Sequence, residues 1–149
     1  MADATQVGRK YDLSPWEVER GKIRELAMAI GDPNPIYTDK EAAIAAGYRD
    51  TPAPPTFVTV PGNWQGNTPQ LMSDLSINYM MILHAGEEYE YHQEIYPGDV
   101  ITGTTTVASI TEKTSKSGSK MDLIVIEVEF KNQNDEKVLT ARTTIIERK

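Results

Sequence analysis

Three long segments in the second half of the chain set the tightest limit on its fold. Val100–Ile110 is rich in Thr and Val, Leu123–Phe130 places Ile124, Ile126, Val128 and Phe130 on one side, and Val138–Ile146 closes the series. Branched and aromatic residues recurring with a period of two suit a pleated sheet with one buried face. The short polar stretches between them, Ser115–Ser119 with Gly118 and Asn132–Glu136, are hairpin turns, so the neighbouring strands run antiparallel. Upstream, Tyr89, Tyr91, Gln93 and Ile95 alternate with Glu88, Glu90, His92 and Glu94, which reads as a further half-buried strand ending at the turn Pro97-Gly98-Asp99.

The first half is different in kind. Met1–Lys10 reads as a loose polar lead-in. Tyr11–Val18 allows two readings, a helix start with Ser14 and Glu17 at capping-box spacing, or a short strand through Trp16 and Val18 with a helix from about Arg20. Ile23, Leu26, Ala27 and Ile30 then fall at i, i+3, i+4 and i+7, the apolar stripe of an amphipathic helix. Gly31 suits its C-terminal cap and Pro33 forbids its continuation. The next stretch holds Asp32 and Asn34 between Pro33 and Pro35, which confine the polar pair to an extended turn. Such a pair either makes a loop through Asx-type hydrogen bonds or begins an active site. Thr38 and Glu41 have capping-box spacing ahead of an alanine-rich helix closed by Gly47. Arg49–Pro55 is a stiff proline-rich loop, Thr56–Val60 is an apolar run that period alone cannot assign, and Pro61–Ser73 reads as a long loop. Helices followed by strands make this an α+β chain of one domain over its 149 residues.

Charge and composition exclude several classes of function. A formal net charge of -7 opposes nucleic-acid and anionic-membrane surfaces, which need clustered Lys and Arg. With no cysteine there is no disulfide, thiolate nucleophile or Cys-ligated zinc. No run approaches the roughly 20 apolar residues of a membrane helix. The first residues carry neither the basic nor the apolar region of a signal peptide, so a cytoplasmic protein is expected. His84 and His92, the two histidines, have no metal-ligand spacing.

Read in order, several motifs resemble one family. They are Gly31-Asp32-Pro33-Asn34-Pro35-Ile36-Tyr37, Ala46-Gly47-Tyr48, Ala53-Pro54-Pro55-Thr56-Phe57, Leu83-His84-Ala85-Gly86-Glu87, Tyr89-Glu90-Tyr91-His92 and Tyr96-Pro97-Gly98-Asp99. Together they resemble the MaoC-like hydratases/dehydratases, in particular the N-terminal-type domain of that family, over about Trp16–Arg148. The resemblance implies a hot-dog fold, an antiparallel sheet wrapped around a central helix that would begin near Thr56. It also implies acyl-CoA or acyl-carrier thioesters as ligands, no cofactor and no metal. Active members carry Asp-x-Asn-Pro-x-His, whose Asp and His activate a water that adds to C3 of a trans-2-enoyl thioester while a proton returns to C2.

By that resemblance Asp32, Asn34 and Tyr37 are the candidate catalytic residues, and Pro55, Thr56 and Phe57 the candidate substrate-binding residues. Two departures matter. Tyr37 stands where the family has its His, and a phenol with an ordinary pKa near 10 is a poor base at neutral pH. Pro54 and Pro55 remove two backbone donors where the thioester oxygen would be held, and Phe57 adds bulk. Both departures resemble the non-catalytic half of paired MaoC-type enzymes. The implied function is therefore an accessory subunit of a heteromeric hydratase. The alternatives are a self-sufficient hydratase using Asp32, Asn34 and Tyr37, a non-catalytic thioester-binding module and, as a lesser case, a hot-dog thioesterase. A homodimer, a dimer of dimers or a heteromer is expected, because a curled open sheet leaves strand edges that need cover.

Overall fold

The computed structural model describes residues 2–61, 68–115 and 118–148. Five strands form one antiparallel sheet: β1 (Lys10–Glu17), β2 (Ile82–Tyr91), β3 (Val100–Thr114), β4 (Lys120–Lys131) and β5 (Lys137–Arg148). Their spatial order is β1-β3-β4-β5-β2. The two hairpins β3–β4 and β4–β5 follow directly from the turns seen in the sequence, and all three strands run longer than their apolar cores. The register pairs Gly103 with Phe130, Val107 with Ile126 and Phe130 with Leu139, so the alternating apolar positions stack on a single face.

Of three α-helices, α1 (Arg20–Ala29), α2 (Lys40–Ala45) and α3 (Thr68–Asp74), the first and third cover that face, while α2 packs beside the 3-10 turn Pro35–Tyr37. Ile23 of α1 joins Trp16, Phe57, Ile101, Phe130 and Leu139 in one packed cluster. Leu71 and Met72 of α3, with Leu75 just beyond it, pack against Val107, Ile124, Ile126 and Ile145 in a second. The core is thus two apolar units side by side on one sheet. No helix of the described residues is long and apolar enough to cross a membrane.

Several local expectations come out differently. Of the two readings of Tyr11–Val18, the strand is the one observed, and Gly21 lies inside α1. The lead-in is anchored: Ala2 N donates to buried Asp122 Oδ2 at 2.9 Å, Asp3 N to the Leu75 carbonyl at 3.0 Å and Gly8 N to the Val107 carbonyl at 2.8 Å. Helix α2 is capped by Asp39, one residue past the predicted Thr38, because its carboxylate reaches Glu41 N at 2.8 Å and Ala42 N at 3.4 Å. The central helix expected from Thr56 is in pieces among the described residues: a 3-10 turn over Phe57–Thr59, then α3 inside the stretch read as a loop. Residues 62–67 of that loop lie outside the described residues.

The strand predicted from Glu88 begins earlier, at Ile82, and ends at Tyr91. It does not form a hairpin with β3. It pairs with β5 on the far side of the sheet, and residues 92–99 cross the sheet end to reach β1. Ile95 O receives Ala53 N at 2.8 Å, Gly98 N donates to Val18 O at 2.9 Å and Val18 N to Asp99 O at 2.8 Å. Gly98 turns the chain there at φ +85°, a region that side chains disfavour.

Candidate functional site

The turn that follows α1 is built by the backbone first. Gly31 sits at φ +71°, its N–H donates to the Met28 carbonyl at 3.2 Å, and Asp32 N–H donates to the Ala27 carbonyl at 2.9 Å. These two bonds satisfy the last helical carbonyls, as a left-handed glycine beyond a helix end allows. Asp32 Oδ1 then accepts from Asn34 N–H at 2.9 Å, and Asn34 Oδ1 caps the 3-10 turn Pro35–Tyr37 by accepting from Ile36 N–H at 3.2 Å. Each polar side chain therefore spends one oxygen on shaping the turn. Asp32 keeps its second carboxylate oxygen for other use, half-buried, while Asn34 is exposed.

Tyr37 ends the turn with its ring against the first apolar cluster. Burial, then the Asp32 carboxylate, Tyr48 and Glu94, push its phenol above the ordinary 10.0. At neutral pH it is a protonated hydroxyl beside a carboxylate, able to donate a hydrogen bond and unable to act as a base. Tyr91 belongs to the same surroundings: burial, Tyr89, Glu94 and Tyr37 push it up to about 12. The structure thus brings Asp32 and Tyr37 together, and adds Tyr48, Tyr91 and Glu94, none of which the sequence had marked as a site residue. They come from three separate segments, 32–37, 48 and 91–94, and no local pattern joins them.

The residues expected to bind the thioester are divided. Phe57 is 2% exposed and packs on Trp16 with ring centroids 5.7 Å apart. Pro55 and Thr56 are exposed. The Phe57 N–H is already committed to the Pro54 carbonyl at 2.9 Å, and the two prolines have none to offer. Alongside lies an open cleft of about 460 Å³ lined by Trp16, Glu17, Glu19, Lys22, Phe57, Val60 and Pro61. Its apolar walls suit a hydrophobic body with a polar end.

Two ion-pair assemblies hold the loops around this region, and the sequence had shown neither. Asp99, 6% exposed, accepts from Arg49 Nη2 at 2.7 and 3.0 Å and from Tyr96 N–H at 2.8 Å, while the Arg49 guanidinium lies 4.3 Å from the Tyr96 ring centroid. The Tyr96-Pro97-Gly98-Asp99 motif is therefore a clamp on the proline-rich loop. Asp50 binds Arg20 through both guanidinium nitrogens, one at 2.8 Å, with Lys40 Nζ at 3.2 Å and Thr51 N–H at 2.6 Å. The Arg20 hydrogen bonds hold the Asp50 carboxyl well below the usual carboxylate range, against the opposing effect of burial. The histidines lie elsewhere. His84 Nε2 sits 3.1 Å from Glu87 on β2, and His92 Nε2 is 3.4 Å from Thr140 Oγ1.

Comparisons with known proteins agree on the family. Residues 5–141 match the model of the FAS1-like, dehydratase domain region. A UPF0336 protein of Streptomyces avermitilis is 40% identical over 150 residues, covering 98% of this chain and 95% of the relative. Among solved structures, a MaoC-like dehydratase superposes with a TM-score of 0.81 at 30% identity, over 95% of this chain, which spans 42% of that longer one. The C-terminally truncated HadBC complex of Mycobacterium tuberculosis, a 3R-hydroxyacyl-ACP dehydratase, superposes with a TM-score of 0.79 at 23% identity, covering 95% of this chain and 96% of its own, and so shows the shared hot-dog fold. With its antiparallel sheet, its helix-covered face and the Asp32–Tyr37 turn, the chain belongs to the MaoC-like dehydratase family.

Proposed function

We propose that this chain is the acyl-thioester-binding accessory subunit of a heteromeric (R)-specific enoyl-thioester hydratase/dehydratase. The observation that carries the reading is Tyr37, a phenol pushed above 10.0 at the position where hydration needs a base. The Phe57 N–H, bonded to the Pro54 carbonyl at 2.9 Å, supports it together with Pro54 and Pro55, since none of these three residues has an N–H to offer a developing thioester oxyanion. In this role Asp32 and Asn34 shape the turn, Tyr37 donates a hydrogen bond, and the cleft beside Trp16 and Phe57 receives the acyl chain. The partner supplies Asp and His, adds water oxygen to C3 and returns a proton to C2. That HadBC is a complex of two chains is consistent with this division of labour. The ligand is an acyl-CoA or acyl-carrier thioester, and the working form is a dimer or larger assembly in the cytoplasm.

The test is hydration of crotonyl-CoA by the chain alone and after mixing with a MaoC-type subunit bearing Asp-x-Asn-Pro-x-His. Little turnover alone and a large gain on mixing is expected. Brisk turnover by the chain alone would overturn the reading. It would favour instead a self-sufficient hydratase, which the closeness of Asp32 to Tyr37 makes the second reading. In that case Asp32→Ala abolishes turnover.

A further inference from the structure

Edge strand β1 turns an indole inward by breaking its own alternation. Tyr11 and Leu13 are half-buried while Lys10, Asp12 and Ser14 are exposed, a period of two that would bring Pro15 inward next. Instead the register with β3 slips between Leu13 and Trp16, Pro15 stays exposed, and Trp16 pairs with Ile101 at 8% exposure. An irregularity of this kind re-aims a side chain. The side chain it delivers is not wholly apolar. Trp16 packs in the first cluster with Phe57, Ile101 and Phe130, yet its Nε1–H is buried and meets no hydrogen-bond partner among the described residues.

An indole N–H left dry loses the hydrogen bond it makes to water in the unfolded chain, and a phenyl ring would fill an apolar cluster without that loss. The residue that carries this orphan donor is also a wall of the cleft of about 460 Å³, with Phe57, Val60 and Pro61 beside it. The polar lining narrows the choice of acceptor. Glu17 and Glu19 are exposed there, and the Lys22 ammonium is already held by Glu25 at 2.8 Å. A carboxylate or phosphate would meet like charge, and an ammonium has no lone pair to accept from an N–H. An uncharged oxygen on an apolar body meets each of these conditions.

We infer that Trp16 Nε1–H is the polar anchor of this cleft and donates to an uncharged oxygen, a carbonyl or hydroxyl, borne by an otherwise apolar chain. Resting on the thioester reading above for the rest of the ligand, this makes the preferred substrates acyl thioesters oxygenated within the chain rather than plain alkyl ones. The hydrogen bond forms only with such a ligand, and a plain chain leaves the donor as unpaired as in the free protein. Its whole contribution therefore goes into selectivity. The buried nitrogen is reached by displacing one wall side chain. Phe57 meets the indole with ring planes inclined at 43° and sits in a 3-10 turn of three residues.

Octanoyl-CoA and its 5-, 6- and 7-oxo derivatives are titrated into the full chain, with affinity read by calorimetry and the indole N–H resonances by proton–nitrogen correlation NMR. The Trp16 resonance is the one that Trp16→Phe removes. The best-placed oxo derivative is expected to bind about tenfold tighter than octanoyl-CoA, the scale of one neutral hydrogen bond satisfied at a buried donor, and to move that resonance downfield. In Trp16→Phe the ratio of the two affinities should fall to about one, whatever the absolute values. If that variant does not fold by circular dichroism, the affinity ratio and resonance shift of the wild type decide alone. Equal affinity for oxo and plain chains, or a preference that survives in Trp16→Phe, would overturn the inference. 2-Octanone carries the oxygen without the thioester. If it moves the Trp16 resonance while none of the CoA esters binds, the anchor stands and the thioester reading falls. A resonance moved by neither the ketone nor any oxo derivative would sink the anchor itself. None of these readouts involves turnover, so failure of an Asp/His-bearing subunit to restore hydration would count against the proposed function alone.

Discussion

Replacing Tyr37 by His tests the chemistry of the site most directly. With its phenol held above 10.0, Tyr37 presents phenolate in fewer than about one molecule in a thousand at pH 7. An imidazole with an ordinary pKa near 6.5 would be roughly three-quarters in its basic form. A positioned general base contributes about 10²–10⁴-fold. The turn that would hold the imidazole exists already, through Asp32 Oδ1 to Asn34 N–H at 2.9 Å and Asn34 Oδ1 to Ile36 N–H at 3.2 Å. The gain has a ceiling. Pro54 and Pro55 offer no N–H and that of Phe57 is taken, and one missing oxyanion donor costs about 10²–10³ in rate. Tyr37→His should therefore raise hydration of crotonyl-CoA by the chain alone about 10²-fold or more, yet leave it well below an Asp/His-bearing subunit. The assay is loss of the enoyl-thioester absorbance, with Asp32→Ala in the Tyr37→His background as control. The smaller ring also leaves a gap beside the first apolar cluster, costing about 1–2 kcal/mol of stability. No gain in a folded Tyr37→His variant, or Tyr37→Phe erasing a turnover already present, would refute the reasoning.

Other consequences concern the frame around the site. A methyl added at Gly103 would sit 2.9 Å from Leu13 Cδ1 and 3.1 Å from Phe130 Cδ1, so Gly103→Ala should cost about 1–3 kcal/mol. Adding Leu13→Ala should return part of that loss, and a double-mutant cycle by urea unfolding with no coupling between the sites would argue against the clash. Asp50, whose folded-state pKa is lowered chiefly by Arg20, stabilises the fold above the ordinary carboxylate pKa near 4 and ceases to do so as pH falls toward its folded value. Hence the stability gap between wild type and Asp50→Asn should narrow below about pH 4, and a gap unchanged across that range would contradict it. Tyr89 and Tyr91 are both pushed up to about 12, first by burial and then respectively by Glu87 and by Tyr89 with Glu94 and Tyr37. The raised value favours the protonated phenol in the fold, so this stabilisation is complete below about pH 10 and disappears as pH climbs toward 12. Tyr91 contributes less, since 44% of it stays in contact with solvent. Near-ultraviolet titration should show both phenols ionising together with alkaline unfolding, and ionisation near pH 10 in the folded protein would exclude it.

Local chemistry carried most of the elements by itself. The period-two runs around Ile124, Ile126 and Phe130 could only become strands with one covered face, and the turns between them forced antiparallel neighbours. Gly31 and the two prolines likewise made the Asp32–Tyr37 turn legible, because cap geometry and restricted dihedrals act within a few residues. What failed at this level was what depends on partners far along the chain. The apolar run at Thr56–Val60 became a 3-10 turn because Phe57 packs into a prepared cluster with Trp16, while the loop after it supplied α3 for the second cluster. The lead-in looked loose because its anchors, Asp122, Leu75 and Val107, lie some seventy to one hundred and twenty residues away.

Only the tertiary structure decided the sheet order and the company Tyr37 keeps. Period and turn chemistry made β2 a strand, yet sent it to no particular neighbour, and its place beside β5 follows from covering the sheet edge left by the hairpins. That placement leaves an acidic strand open on the surface. The crossover of residues 92–99 carries Glu94 toward Tyr37, and Tyr48 joins them from the loop after α2. The sequence by itself determined that the turn beginning at Asp32 ends on a phenol, Tyr37. The tertiary structure decided that this phenol is half-buried beside Asp32, because side chains from distant segments meet only when the sheet and its helices close on one another.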